Sequence, residues 1–175
     1  PLGDGTNYLR PSKWLEIAGP EFISEAFKIA RIADPDAMLI LNDYDFHWSA
    51  KRPRLLRLLE YLREQNAPVD CVGMQGHFDL DKIDYTEVED TIVIIKKRGL
   101  KVAITELDID VVGRAKWWQD GGKYRDELSR YDPYAPNCPP DVLARQAEQF
   151  AKLFEIFQRH SDCIVRVSFW DLHDG

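Results

Sequence analysis

The regular alternation of short apolar runs with amphipathic segments constrains this 175-residue chain most strongly. The predicted strands cover residues 37–41, 69–74, 101–105 and 164–169, and a polar cluster follows the first three. The predicted helices cover 20–33, 54–65, 87–97 and 140–160, where apolar side chains recur at helical spacing. The polar clusters begin at Asn42, Gln75 and Glu106, which are 33 and 31 positions apart. This alternation predicts βα units and a parallel sheet, because parallel neighbours need a crossover connection.

Two α/β architectures share this pattern, an open nucleotide-binding sheet and a closed barrel. No Gly-x-Gly-x-x-Gly motif follows a predicted strand, which opposes a nucleotide-binding domain because such loops cradle phosphate groups. We therefore expect a barrel segment, since barrel active sites also lie at the carboxyl ends of the strands. Closure takes eight strands, so residues 1–175 are predicted to be part of a single barrel domain.

Charge and hydropathy narrow the range of partners. The net charge of −7 and the pI of about 5.1 argue against nucleic acid, which binds clustered Lys and Arg. No apolar run approaches the ~18 residues of a membrane span, so no membrane partner is expected. The three cysteines lack metal-type spacing, and we predict neither a metal site nor a cofactor. Cys71 and Cys163 lie in apolar runs and are expected to be buried free thiols.

The segment 102–108 carries the strongest chemical signal in the sequence. Alternation along a strand would put Glu106 and Asp108 on one side, together with the apolar residues at 102 and 104. A lone Glu at a strand end is more often a structural residue paired with a nearby Lys. Here a second polar cluster ends the adjacent strand, and this favours a functional interpretation.

That second cluster contributes an amide and an imidazole. Gly73, Gln75 and His77 share one parity along their strand, so the Gln75 and His77 side chains are expected to point the same way. Such groups beside a carboxylate hold it in one rotamer and favour its ionised form. A single histidine is at least as often structural, and only the neighbouring carboxylates favour a role for His77.

Aromatic side chains crowd the predicted loops. Tyr44 follows the first strand, and Trp117 and Trp118 lie in a polar insertion covering about residues 110–138. In the last strand, alternation puts Phe169 toward the outer helices and Trp170 toward the interior. Sugar rings stack on aromatic faces, so these residues suit a polysaccharide cleft, although loop packing is the alternative.

The order of these motifs resembles glycoside hydrolase family 10. The motifs are Asn42-Asp43-Tyr44, then residues 73–77, then 104–108, and finally Phe169-Trp170. The resemblance covers essentially the whole chain. It implies that the four strands are the fifth to eighth of a (β/α)8 TIM barrel. It further implies a retaining endo-β-1,4-xylanase, acting on xylan without a cofactor.

The resemblance also assigns roles to individual residues. Glu106 would be the nucleophile, with His77 and Asp108 as the hydrogen-bonded support that keeps it ionised. Asn42, Gln75 and Trp170 would line the subsites next to the cleaved bond. Among the loop aromatics, Tyr44 and Trp118 are added to the expected substrate-binding residues.

In the family, the general acid/base is a Glu at the end of the fourth strand, which would lie before Pro1. The first half of the barrel is therefore an expected partner, and the isolated 175-residue chain is expected to be inactive. Family resemblance also implies an extracellular enzyme, although no signal peptide is visible in this chain. The alternatives are another barrel β-glycanase, such as a cellulase or mannanase, and a non-catalytic carbohydrate-binding barrel. The Gln75-Gly76-His77 motif favours a xylanase.

Overall fold

A computed structural model of the chain describes residues 8–113, 132–134 and 137–170. Its elements in chain order are α1 (Lys13–Ala18), α2 (Glu21–Ala33), β1 (Ile40–Asp43), α3 (Arg52–Glu64), β2 (Cys71–Met74), β3 (His77–Asp79), α4 (Tyr85–Lys96), β4 (Lys101–Asp110), α5 (Pro140–Arg159) and β5 (Ile164–Phe169). None of the helices within these ranges is both long enough and apolar enough to cross a membrane.

All five strands belong to one parallel sheet. β1 pairs with β2, β2 and β3 both pair with β4, and β5 pairs with β4. Since β2 and β3 follow one another closely in the chain, they form one interrupted strand. The sheet therefore has four parallel positions, each separated from the next in the chain by at least one helix. The predicted parallel sheet of βα units is confirmed.

The interruption between β2 and β3 is matched by an irregularity in β4. Met74 pairs with Ile104 and His77 pairs with Asp108, so three residue steps on one strand face four on the other. Gly76 has a φ of 83°, and a Cβ there would lie 2.8 Å from Ile104 Cγ2. β4 thus contains one extra residue, which is the property of a β-bulge and is common beside active sites.

The extra residue changes which side of the sheet each β4 side chain faces. Ile104 and Leu107, three positions apart, both lie in the hydrophobic cluster beneath the sheet. Strict alternation would send them to opposite faces. The prediction that Glu106 shares a side with residues 102 and 104 is therefore wrong. The bulge moves Glu106 to the face opposite Ile104.

The first strand begins later than predicted and runs into the polar cluster. Before residue 40, the Arg31 guanidinium donates to the carbonyl of Ala37, and Asp70 accepts from the backbone N–H of Leu39. These side-chain contacts take the place of regular strand pairing before residue 40, although the Leu39 carbonyl accepts from the backbone N–H groups of Asp70 and Cys71. Pairing continues instead through Asn42 and residue 43, so Asn42 belongs to the rigid sheet and not to a loop.

The helices pack on the sheet through a continuous buried cluster. Asp84 caps α4 by accepting a hydrogen bond from the Glu87 backbone N–H, which satisfies one otherwise unpaired helix donor. In α5 the apolar side chains that recur at helical spacing are not all buried. Leu153 and Phe157 are buried as expected, but Phe154 is exposed.

The cysteines do not form disulfide bonds. Cys71, Cys138 and Cys163 are all free thiols, and the first and last of them are buried, as predicted. Burial raises the pKa of the Cys71 thiol to about 11, so this thiol is neutral and unreactive at physiological pH.

Candidate active site

A chain of three ionisable side chains lies at the carboxyl ends of the central strands. His77 Nε2 lies 3.1 Å from Glu106 Oε2, and His77 Nδ1 lies 2.9 Å from Asp108 Oδ1. The His77 side chain is 10% exposed and the Glu106 side chain 18% exposed. The imidazole is thus fixed between two carboxylates, while Glu106 keeps part of its surface open to a ligand.

Backbone hydrogen bonds hold this chain in place. The Glu106 N–H donates to the carbonyl of Gln75 at 2.8 Å, and the Asp108 N–H donates to the carbonyl of Gly76 at 3.2 Å. These bonds span the stretch that contains the extra β4 residue. The bulge therefore brings Glu106 and Asp108 to the face on which His77 lies.

The second oxygen of Glu106 faces β1. Asn42 Nδ2 donates to Glu106 Oε1 at 3.4 Å, and Asn42 Oδ1 accepts from Thr105 Oγ1 at 2.8 Å. Asn42 and Glu106, predicted from neighbouring polar clusters, are therefore in contact. Thr105 was not among the predicted residues.

The loop after β1 is anchored by a buried lysine. Lys51 Nζ donates to the carbonyl of Tyr44 at 2.7 Å and lies 3.3 Å from the centre of the Tyr44 ring. The same ammonium lies 3.5 Å from Asp43 Oδ2, and both side chains are 5% exposed. These contacts fix Tyr44 at the strand end. His47, in the same loop, packs 4.8 Å from the Phe78 ring, and burial lowers its pKa to about 4.

The remaining predicted residues are placed as follows. Trp170 meets His77 edge to face, with ring centroids 5.6 Å apart, and its backbone N–H donates to the carbonyl of Leu107. Phe169 lies 5.7 Å from the Phe150 ring of α5, so the predicted alternation at the end of β5 is correct. Gln75 is half-buried beside Glu106. Trp118, with Trp117, lies outside the described residues.

The protonation chemistry of the cluster follows from the two ring nitrogens of His77. A doubly protonated imidazole donates to both carboxylates, whereas a neutral ring donates to only one of them. The His77 ring can therefore donate to Glu106, to Asp108 or to both, according to the number of protons that it carries. Within the ranges described, no group of three His, Cys, Asp or Glu side chains is arranged to bind a metal ion.

Sequence reasoning missed Thr105 and Lys51 for different reasons. Alternation assigns Thr105 and Glu106 to opposite faces, and only the extra residue in β4 brings both toward Asn42. A glycine one position from His77 was the available signal, because glycines in strands often mark bulges or close approaches. For Lys51, no sequence signal distinguishes a buried lysine from the exposed lysines that begin many helices.

Comparison with known proteins gives a family match over the full chain. The model for "Glycosyl hydrolase family 10" matches residues 1–175. An endo-1,4-beta-xylanase A of Thermotoga maritima is 39% identical over 167 residues, which is 95% of this chain and 14% of that protein. An endo-1,4-beta-xylanase of Geobacillus stearothermophilus is 33% identical, over 98% of this chain and 48% of that protein.

Solved structures agree with these sequence matches. A GH10 endoxylanase retrieved from sugarcane soil metagenome superposes with a TM-score of 0.83 at 33% identity, covering 97% of this chain and 47% of that one. An intracellular xylanase from Thermoanaerobacterium saccharolyticum, in complex with xylotetraose, gives a TM-score of 0.78 at 28% identity, covering 97% and 45%. The chain spans about half the length of these structures. Because an intracellular enzyme is among them, the expected extracellular location stays a prediction.

Proposed function

Since this chain belongs to glycosyl hydrolase family 10 and its four parallel strand positions form part of that family's (β/α)8 barrel, we propose that the complete protein is a retaining endo-β-1,4-xylanase with Glu106 as its nucleophile. Residues 1–175 are proposed to be part of one catalytic domain, completed by the first four strands of the barrel. The substrate is proposed to be xylan, the polymer that the similar endo-1,4-beta-xylanases are named for.

The observation that carries this proposal is the way Glu106 is held. His77 contacts one carboxylate oxygen at 3.1 Å, Asn42 approaches the other at 3.4 Å, and the side chain still has 18% of its surface exposed. Hydrogen bonds to a carboxylate favour its charged form, which is the form that attacks. A structural glutamate that only closed a salt bridge would not need donors at both oxygens.

The proposed reaction proceeds in two displacements. Glu106 attacks the anomeric carbon while the bond to the leaving oxygen breaks and a general acid protonates that oxygen. Water, deprotonated by the same group, then attacks the anomeric carbon and releases Glu106. This mechanism needs a second carboxyl group about 5–5.5 Å from the first. The family resemblance assigns that group to the fourth strand of the barrel, outside these 175 residues.

The substrate would lie across the carboxyl ends of the strands. Trp170 stands beside His77 and offers a half-exposed indole surface on which a xylose ring could stack. Asn42, Tyr44 and Gln75 are proposed to contact the sugar on either side of the cleaved bond. Trp118 is proposed to serve a more distant subsite. A neutral polysaccharide is also compatible with the acidic character of the chain.

The test is the stereochemistry of xylan hydrolysis by the complete protein, followed by ¹H NMR. We expect the β-anomer to appear first, because two displacements retain configuration. Glu106→Ala should lower kcat by roughly 10⁴-fold or more, since the covalent route is lost. Added azide should restore turnover and give an α-glycosyl azide.

The matched control is Glu155→Ala, which removes an exposed glutamate from α5 and should leave kcat unchanged. Early release of the α-anomer, or a Glu106→Ala enzyme with normal turnover, would reject the nucleophile assignment. Faster cleavage of cellulose or mannan than of xylan would reject the substrate and favour one of the other barrel β-glycanases.

A further inference from the structure

We propose that Thr105 is a positioning residue for the reaction of Glu106 and that it acts through Asn42. This inference rests on the proposed function, because it assigns Thr105 to the same reacting carboxylate. The Thr105 hydroxyl lies within hydrogen-bond distance of Asn42 Oδ1 and of the Met74 carbonyl, and we assign its effect to the Asn42 contact. The hydroxyl donates to Asn42 Oδ1 and so helps to hold the amide with its NH₂ group toward Glu106.

The orientation of the Asn42 amide follows from its two neighbours. Thr105 Oγ1 donates to Asn42 Oδ1 at 2.8 Å, which leaves the Asn42 NH₂ group to donate to Glu106 Oε1 at 3.4 Å. The reversed amide would place its carbonyl oxygen against the Glu106 carboxylate, and two acceptors repel each other. The other acceptor near the Thr105 hydroxyl, the Met74 carbonyl, is more distant at 3.5 Å.

Two features of the backbone make the contact between Thr105 and Asn42 possible. Consecutive side chains of a regular strand point to opposite faces, so Thr105 and Glu106 both reach Asn42 only because β4 carries an extra residue between Ile104 and Leu107. Gly73, paired with Asn42 across β1 and β2, leaves room for the amide. A Cβ at that position would lie 2.6 Å from Asn42 Oδ1.

A fixed amide matters because the charge on Glu106 changes during turnover. The carboxylate loses its charge when the glycosyl–enzyme bond forms and regains it when water breaks that bond. An amide already oriented by Thr105 needs no reorganisation at either step. Without the hydroxyl the Asn42 amide can rotate, and the donor at Oε1 is lost for part of the time. We expect this loss to lower kcat and to leave KM nearly unchanged.

The experiment compares Thr105→Val with Thr105→Ser in the complete protein, assayed on xylan and on a short aryl xyloside. Valine has nearly the shape of threonine but lacks the donor, whereas serine keeps it. We expect Thr105→Val to lower kcat roughly 2- to 10-fold, the range expected for a neutral hydrogen bond. Thr105→Ser should recover most of this loss. An unchanged kcat in Thr105→Val would overturn the proposal.

A double-mutant cycle separates action through Asn42 from a direct effect of Thr105. In an Asn42→Ala background, Thr105→Val should cause no further loss, because the amide that it positions is gone. An equal loss in both backgrounds would overturn the proposed route.

The matched control is Thr91→Val, which removes a buried threonine hydroxyl that donates to the carbonyl of Phe46, away from Glu106. It should alter the melting temperature without altering kcat. If Thr91→Val and Thr105→Val lowered kcat equally, the role of Thr105 would be structural only. Glu106→Ala serves as the parallel check: if it stays active, the proposed function fails, whereas an inactive Glu106→Ala with a normal Thr105→Val rejects only the present inference.

Discussion

The two sides of Glu106 are held by different kinds of chemistry. On the β3 side, His77 joins Glu106 to Asp108 through contacts of 3.1 and 2.9 Å, and every member of the chain can gain or lose a proton. On the β1 side, Asn42 and Thr105 form a neutral chain that approaches the other oxygen at 3.4 Å. The first side can respond to a change of charge on Glu106, whereas the second can only hold its orientation.

This difference in chemistry predicts how the rate should change when the contacts on each side of Glu106 are removed. Loss of an ionisable partner should alter both the rate and its dependence on pH. Loss of a neutral partner should lower the rate with a much smaller change in the pH dependence. Hydrogen bonds to charged groups contribute about 1.5–3 kcal/mol and neutral ones about 0.5–1.5 kcal/mol. On the β1 side the Thr105–Asn42 bond is neutral, and the Asn42 contact with the Glu106 carboxylate is long at 3.4 Å.

The largest effect is expected from the β3 side. His77→Ala in the complete protein should lower kcat/KM roughly 10- to 150-fold, the factor that corresponds to about 1.5–3 kcal/mol. The acidic limb of the kcat/KM profile should also move, because the variant removes an ionisable group that contacts the Glu106 carboxylate. The measurement is a pH–rate profile on a soluble xylo-oligosaccharide.

A matched control for this variant is His160→Ala. His160 also contacts a carboxylate, that of Glu89 at 2.8 Å, but it lies at the end of α5 and away from Glu106. Its removal should leave the acidic limb in place. If His77→Ala raised KM alone and left the limb unmoved, His77 would be a binding residue and the contrast between the two sides would disappear.

A smaller effect is expected from the β1 side. In Gly73→Ala the added Cβ would lie 2.6 Å from Asn42 Oδ1 and 2.9 Å from Ile40 Cγ2, so the Asn42 amide must move. We expect kcat to fall roughly 2- to 10-fold. The melting temperature should also fall, because overpacking typically costs about 1–3 kcal/mol.

The most informative measurement on Gly73→Ala is the pH profile of kcat/KM, compared with the profile of His77→Ala. The acidic limb should move less than in His77→Ala, since no ionisable partner has been removed. The double variant Gly73→Ala/Asn42→Ala should regain stability without regaining activity, because its methyl group occupies the space that the amide leaves. A limb displaced as far as in His77→Ala would contradict a purely orienting β1 side.

Much of this architecture could be predicted because it depends on patterns that act locally. Apolar periodicity identified the four long helices, and polar residues at strand ends identified where Asn42, Gln75 and Glu106 would converge. The pairing of His77 with Asp108 agrees with the same pattern, since both lie just past the predicted ends of adjacent parallel strands. These relationships need only the handedness and spacing of βα units.

The other features of the site could not be predicted, because they depend on an irregularity in β4 that breaks strict alternation. A single extra residue in β4 reverses the side on which every later side chain points, so Glu106 faces away from Ile104 and joins Thr105. The start of β1 was misplaced for a similar reason, because Arg31 and Asp70 engage the backbone of residues 37–39 from outside the strand. Both features arise from tertiary contacts, and a period of two carries no information about them.

The central claim is that Glu106 is the nucleophile, and covalent labelling tests it most directly. The complete protein should be incubated with a 2-deoxy-2-fluoro-xylobioside carrying a good leaving group, which slows the second displacement so that the glycosyl–enzyme accumulates. After proteolysis and fragmentation mass spectrometry, we expect one label, on Glu106 within residues 102–108. A label on Asp108, on Asp43 or on any other carboxylate would contradict the assignment.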